Sequence, residues 1–244
     1  MSKRFIYTGG FGINQAISSS SLWFNAADSP TVITSGTNVG TFIDQSPNSY
    51  SVISPGSLFQ TPTYTDPYIF SSFLTGFYGD FLYKNISDVF LSDTEGEIWV
   101  SGKVHIASNN YLFSSAGSSN YFYLAIGFDT SNRLFIEAND VTTYSKVTSD
   151  TPVVNDTYYY ARITNYGGVW RIYLNGSEVT LTVLNSNSGK WFGDIPNRNN
   201  MYLLGLDNAD GTFASDNNYL NKLLYFPSPT NTSLIENYIS NPTN

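Results

Sequence analysis

Between Tyr158 and Leu184 apolar and polar residues alternate with a period of two. Tyr159, Ala161 and Ile163 fall on one side, and Tyr160, Arg162 and Thr164 on the other. Tyr166-Gly167-Gly168 breaks the run, after which Trp170, Ile172 and Leu174 alternate with Arg171 and Tyr173. Asn175-Gly176 follows, and Val179, Leu181 and Val183 alternate beyond it. Asn-Gly between alternating runs marks a tight hairpin, because both central residues of that turn need positive φ. The stretch predicts a three-strand antiparallel meander.

The same texture runs through the chain from Leu22 onward. Thr41-Phe42-Ile43 reads as a short strand, closed by the turn cluster Asp44-Gln-Ser-Pro-Asn48. Gly96 to Ser108 reads as a long strand with Ile98, Val100 and Gly102 on one face. Tyr121 to Phe128 and Arg133 to Ala138 form a hairpin around Asp129-Thr-Ser-Asn132. Met201–Leu206 and Asn221–Phe226 are two more strands, separated by a polar loop from Asp207 to Asp216. Ser233-Leu-Ile-Glu236 has the spacing of a capping box, opening a short helix that ends by Pro242 and faces Leu234, Ile235 and Tyr238 inward. Trp23, Trp99 and Trp170 are expected in strands as core. Residues 1–21 read as a separate arm, in which Phe5, Ile6, Tyr7, Phe11 and Ile13 are interrupted by Gly9, Gly10 and Gly12. Residues 22–244 then form one all-β domain.

Composition agrees. Aromatic residues make up 16% of the chain, with 19 Tyr and 17 Phe, and such side chains suit a half-buried pleated surface. Charged residues are only 12%, about half the usual share. The net charge of −8 and the sparse, scattered Lys and Arg argue against a nucleic-acid partner. No apolar run approaches the roughly 18 residues of a membrane-spanning helix, so membrane insertion is not expected. Met1 to Gly10 has basic residues but no continuous apolar stretch, and so does not read as a signal peptide.

Catalytic chemistry finds little support. There is no Cys, and His105 is the single His, which leaves a His-based triad or a His/Cys zinc site without partners. Asp93-Thr-Glu95-Gly-Glu97 is the nearest approach to a carboxylate cluster, and it reads as a solvated turn. A non-enzyme is expected. Sugar binding is better supplied, since aromatic faces stack on pyranose rings and amides bond their hydroxyls. Tyr111, Asn120, Tyr121, Trp191, Asn217 and Tyr219 are the candidate glycan-binding residues, with Asn109, Asn110 and Tyr144 in similar settings. Asp207, Asp210 and Asp216 offer hard oxygen ligands in one segment, which makes them candidates for calcium, although the EF-hand spacing is missing.

The order of several segments resembles the concanavalin A-like lectin/glucanase superfamily, in its laminin-G-like branch. Leu22-Trp-Phe-Asn-Ala-Ala-Asp28 looks like that branch's opening segment, and Thr41 to Asn48 its Asp-containing turn. Gln60-Thr-Pro-Thr-Tyr64 and Phe77-Tyr-Gly-Asp80-Phe-Leu82 follow in place. Trp170-Arg-Ile-Tyr-Leu-Asn-Gly176 resembles its hairpin, and Leu223 to Phe226 with the capped helix its closing elements. The resemblance implies a two-sheet antiparallel β-sandwich of jelly-roll type with a short C-terminal helix. It also implies calcium at a loop rim. Asn25, Phe42 and Pro47 depart from the family's pattern, and so does the lack of the carboxylate run that its glucanases use.

The expected function is a structural or adhesive virion protein, a bacteriophage head or tail-fibre component at the virion surface. Its partners would be other virion proteins held through the arm and a host-surface glycan, in a homo-oligomer such as a trimer. A bacterial carbohydrate-binding module and a glucanase-like glycoside hydrolase are the alternatives.

Overall fold

The computed structural model describes residues 17, 19–54, 62–71, 81–85, 93–105, 110–117, 121–208, 211–214 and 218–243. These residues form a two-layer antiparallel β-sandwich with a short α-helix near the C-terminus. The first layer runs from Ser177–Glu178 through Trp170–Leu174, Tyr159–Asn165 and Gly96–Val104 to Asn218–Phe226. Along the far edge of Asn218–Phe226 lie Leu22–Asn25 and Tyr68–Ser71, the latter followed by Thr63–Thr65. The second layer runs Leu181–Val183, Tyr144–Pro152, Arg133–Asp140, Phe122–Phe128, Asn110–Ala116 and Asn200–Leu203, then Leu82–Asn85, Val52–Ile53, Asn38–Phe42 and Val32–Ser35. The layers join at one edge, where Asn38 pairs with Thr63.

Alternation decides which side chains fill the space between the layers. Ile98 and Val100, Ala161 and Ile163, Trp170 and Ile172, and Leu223 and Tyr225 point inward from the first layer. They meet Leu124, Ile126, Leu134, Ile136 and Val147 from the second. The Asn175-Gly176 turn has φ of +48° and +84°, as the hairpin requires. The meander stops at two long strands, however. After Ser177–Glu178 the chain crosses, and Leu181–Val183 pairs with Val147–Ser149 of the other layer. Alternation fixes the face of a strand but not its partner, so the third strand's period-two pattern fits either layer.

Three further expectations change. The polar segment after Leu206 is not one loop: Gly205–Asn208 and Gly211–Ala214 pair as a hairpin. The helix is Thr232–Ile239, capped by Asn231, whose side chain accepts from the Leu234 amide, and not by Ser233. Its buried residues are Ile235, Tyr238 and Ile239, with Leu234 half-buried. Glu97 does not belong to a solvated turn. It is buried within its strand, 2.7 Å from Arg162, and accepts from the Thr230 amide and hydroxyl. Of the arm, residues 1–16 and 18 lie outside the described residues, as do Gln60, Thr61 and Phe77–Asp80 of the motifs above. Ile17 is buried with Trp99, Leu224, Phe226 and the helix.

The outer side of the first layer is therefore sealed. Trp99, Leu224 and Phe226 lie under Ile235, Tyr238 and Ile239, and Trp23, half-buried at the edge, donates its indole N–H to Tyr238 at 3.0 Å. A register shift between Leu220 and Lys222 in the Asn218–Phe226 strand marks a bulge beside the strand end that holds the C-terminal tail. Asn221 donates to the carbonyls of Pro67 (2.7 Å) and Pro242 (3.0 Å). Lys222 donates to the Asn221 side chain and the Asn241 carbonyl, and Tyr158 to the Ile239 carbonyl. Burial pushes the Lys222 ammonium down to about 7.

The Asp44 turn pins the edge strand to this layer. Its buried carboxylate accepts from the amides of Trp23 (2.8 Å), Ser46 (2.9 Å) and Tyr50 (2.7 Å), and from the Ser46 hydroxyl (2.8 Å). Asp44→Ala strands three amide donors and is expected to cost roughly 3 kcal/mol. Asp44→Asn, which keeps one good acceptor, should cost less. Urea unfolding checks this as a lowered midpoint at unchanged slope.

Lys222 yields a pH prediction. The unfolded chain keeps this amine protonated up to its ordinary value of 10.5, whereas the fold releases the proton near 7. More protons are then bound unfolded than folded, so stability rises with pH across that window and is flat below it. Lys222→Met should remove this component. The difference between wild-type and variant melting temperatures should therefore change between pH 7 and 10, and parallel curves would refute the assignment.

Candidate functional site

The outer side of the second layer is built differently. Read across the register, Tyr144, Asn139, Tyr123, Ala116 and Asn200 form one row. Lys146, Glu137, Ala125, Ser114 and Tyr202 form the next, and Phe135, Gly127 and Tyr111 a third. Tyr123 holds the middle of the first row, and the small residues Ala125 and Gly127 hold the middle of the other two.

Glycine is obligatory at 127. A Cβ there would lie 1.8 Å from the Asn110 carbonyl and 2.9 Å from the Phe135 ring. The chain comes so close because the register between Asn110–Ala116 and Phe122–Phe128 shifts beside Gly127. The Phe135 ring occupies this space and is fully buried there. Tyr111 meets it edge-on at 5.9 Å, and the Lys146 ammonium sits 4.0 Å from its centre.

Next to this ring is Glu137, only 2% exposed although it lies on an outer face. Its carboxylate accepts from the Tyr111 hydroxyl (3.2 Å) and the Tyr144 hydroxyl (2.7 Å), and lies 2.9 Å from the Lys146 ammonium. A buried carboxylate needs such donors, because desolvation without them is costly. Burial first, and then the Glu137 charge, push both tyrosine hydroxyls well above the usual phenol range, with Tyr123 adding to each. Tyr111 and Tyr144 therefore remain O–H donors wherever the protein is handled. Tyr144 is 37% exposed, and Tyr121 and Val141, at the same end of the sheet, are 45% and 61% exposed. The hairpin of Gly205–Asn208 and Gly211–Ala214 walls the opposite side: Leu206 is buried against Ala116, Tyr123 and Ala125, and the Ser114 hydroxyl donates to the Gly205 carbonyl at 2.7 Å.

The candidates from sequence are not brought together as one site. Tyr111 lies in the Glu137 cluster, and Tyr121 stands exposed at the entry to the Phe122–Phe128 strand. Tyr219 is on the opposite outer face, stacked on Phe70 at 4.4 Å and edge-on to Tyr68 at 5.9 Å. Trp191 must be withdrawn. It is 0% exposed, its N–H donates to the Tyr225 hydroxyl at 3.2 Å, and its ring packs on Phe192 and Tyr225. Asn110 is buried. Asn109, Asn120 and Asn217 lie outside the described residues, as do Asp210 and Asp216 of the calcium set; Asp207 pairs with Thr212 in the hairpin. Among the described residues no three His, Cys, Asp or Glu side chains gather as a metal group. His105 forms an exposed pair with Asp156 at 2.7 Å.

Sequence reasoning missed Glu137, Lys146 and Phe135. Their signal was present: in Arg133 to Asn139, Phe135, Glu137 and Asn139 share one face of a strand whose other face is apolar.

No family model matches the chain, and no curated protein matches it in sequence. Solved structures do match in fold. The carbohydrate-binding module CBM40 of the Ruminococcus gnavus IT-sialidase, bound to α2,3 sialyllactose, aligns with a TM-score of 0.52 and 11% identity, over 61% of this chain and 84% of that one. The NanB sialidase of Streptococcus pneumoniae, as its K499G mutant, aligns with a TM-score of 0.52 and 13% identity, over 63% of this chain and 26% of that one. A botulinum neurotoxin type C structure, whose cell entry depends on two ganglioside molecules, aligns with a TM-score of 0.62 and 13% identity. That alignment takes in 95% of this chain and 53% of the toxin chain. At these identities the likeness is one of fold: the chain has a lectin-like β-sandwich.

Proposed function

We propose that the chain is a non-catalytic glycan-binding protein, and that it binds through the outer face of the second layer around Glu137. One observation carries this reading. Two tyrosine hydroxyls and a lysine ammonium converge on a carboxylate, next to a sheet end where Tyr144, Tyr121 and Val141 expose apolar surface. A sugar needs this combination, an apolar surface for its ring and a few fixed polar groups for its hydroxyls. The likeness in fold to a module seen with sialyllactose, and to a toxin that depends on gangliosides, supports the same reading.

Within that reading the protein serves as an adhesive component of a virion, held by its N-terminal arm, residues 1–21, to other particle proteins and presenting the sandwich to a host surface. Its support is compositional: no Cys, 12% charged residues, and an abundance of Asn, Ser, Tyr and Gly. Removal of residues 1–16, which leaves the buried Ile17 in place, should abolish incorporation into particles and keep both the fold and sugar binding.

A glycan array with the full-length protein, in calcium and again in chelator, tests the site. Tyr144→Ala should weaken the selected glycan about tenfold or more, equivalent to ~1.4 kcal/mol or more, in protein that stays folded but melts lower for the loss of a donor to the buried Glu137. Tyr219→Ala, on the opposite face, should leave affinity as it is. The reverse pattern would move the site to the first layer. Loss of binding in chelator would bring the Asp207–Asp216 segment into it.

A further inference from the structure

The charges around the Glu137 cluster bear on which sugars it admits. Every described cation beside the cluster already has an anion. Lys146 lies 2.9 Å from Glu137, Arg133 lies 2.8 Å from Asp129, and Lys190 pairs with Asp140. A ligand carboxylate or sulfate would find no uncommitted positive charge here. To take Lys146 it would have to draw the ammonium off Glu137, leaving a 2% exposed carboxylate without its counter-charge. It would also approach against the field of a chain with net charge −8.

An uncharged sugar meets none of these penalties. Its hydroxyls can donate to the Tyr144 hydroxyl oxygen and accept from a free N–H of the partly exposed Lys146, which keeps the Glu137 ion pair intact. We propose that this face selects uncharged, hydroxyl-rich saccharides and rejects sialylated, uronic and sulfated ones. The inference rests on the sugar-binding reading of the face. It sets this chain apart from the sialyllactose-bound module that it resembles in fold.

The test uses full-length protein on an array of matched neutral and sialylated glycans, followed by calorimetry with the best-bound pair and with lactose and sialyllactose. Neutral members binding about tenfold or more tightly than their sialylated counterparts is the expected result. Equal or tighter binding of the sialylated members would overturn the selectivity and leave the sugar-binding reading standing. A blank array would remove that reading and the selectivity together.

Glu137→Gln adds an arm that a merely structural role would not move. It keeps the side-chain shape and releases Lys146 from its anion, so the preference should shift toward the sialylated member by about tenfold. An unchanged ratio in a folded variant counts against the proposal. Should that variant fail to fold, Lys146→Met serves instead: it should weaken neutral glycans with no gain for sialylated ones, and a gain there would overturn the proposal.

Discussion

The ladder between Gly96–Val104 and Asn218–Phe226 is the constraint on which the rest of the structure depends. These strands come from distant parts of the sequence and are buried on both faces. One face fills the space between the layers, and the other lies beneath Thr232–Ile239. A strand covered on both sides cannot leave a polar group to water. Glu97 is therefore matched by Arg162 and Thr230, and Asn221 and Lys222 by the backbone of the C-terminal tail. Satisfying those groups is what fixes the helix and tail to the sheet.

Sealing one outer face leaves the other for recognition. The helix occupies the ground over Trp99 and Leu224, so Tyr219 sits at the margin of a covered surface, stacked on Phe70. Over the second layer the hairpin of Gly205–Asn208 and Gly211–Ala214 covers one part of the sheet, where Leu206 packs on Ala116, Tyr123 and Ala125. The Glu137 cluster adjoins that cover through Tyr111, and Tyr144 is its exposed member. Paired strands on both sides hold the cluster, and the lack of a side chain at Gly127 leaves room for the buried Phe135 ring.

Much of the fold was legible in the sequence. Period-two alternation assigned Tyr159, Ala161, Ile163, Trp170 and Ile172 to the core face, and Asn175-Gly176 gave a true turn. Partners were less legible. Leu181–Val183 alternates as a third meander strand should, yet it pairs with the other layer, because its choice is made by packing around the sandwich edge and not by its own pattern. Site residues followed the same division. Trp191 sits in a polar, Gly-flanked stretch that reads as a loop, and only the tertiary structure buries it between Phe192 and Tyr225. Glu137 was overlooked for the opposite reason. It lies in a strand, where an outward carboxylate is ordinary until its neighbours across the register are known.

That location has a consequence for binding. A site made of loop residues must order them when the ligand arrives, and each immobilised side chain opposes affinity by roughly 0.5–1.5 kcal/mol. Around Glu137 most of that ordering is complete beforehand. Tyr111 is fixed by the Phe135 edge and the carboxylate, Tyr144 by the carboxylate, and Lys146 by the carboxylate and the ring beneath it. The same bonds that order the cluster also commit its charges to one another. A face arranged in this way gains affinity through preorganisation and shape, and so it favours ligands that add hydrogen bonds to the existing network over ligands that must dismantle it.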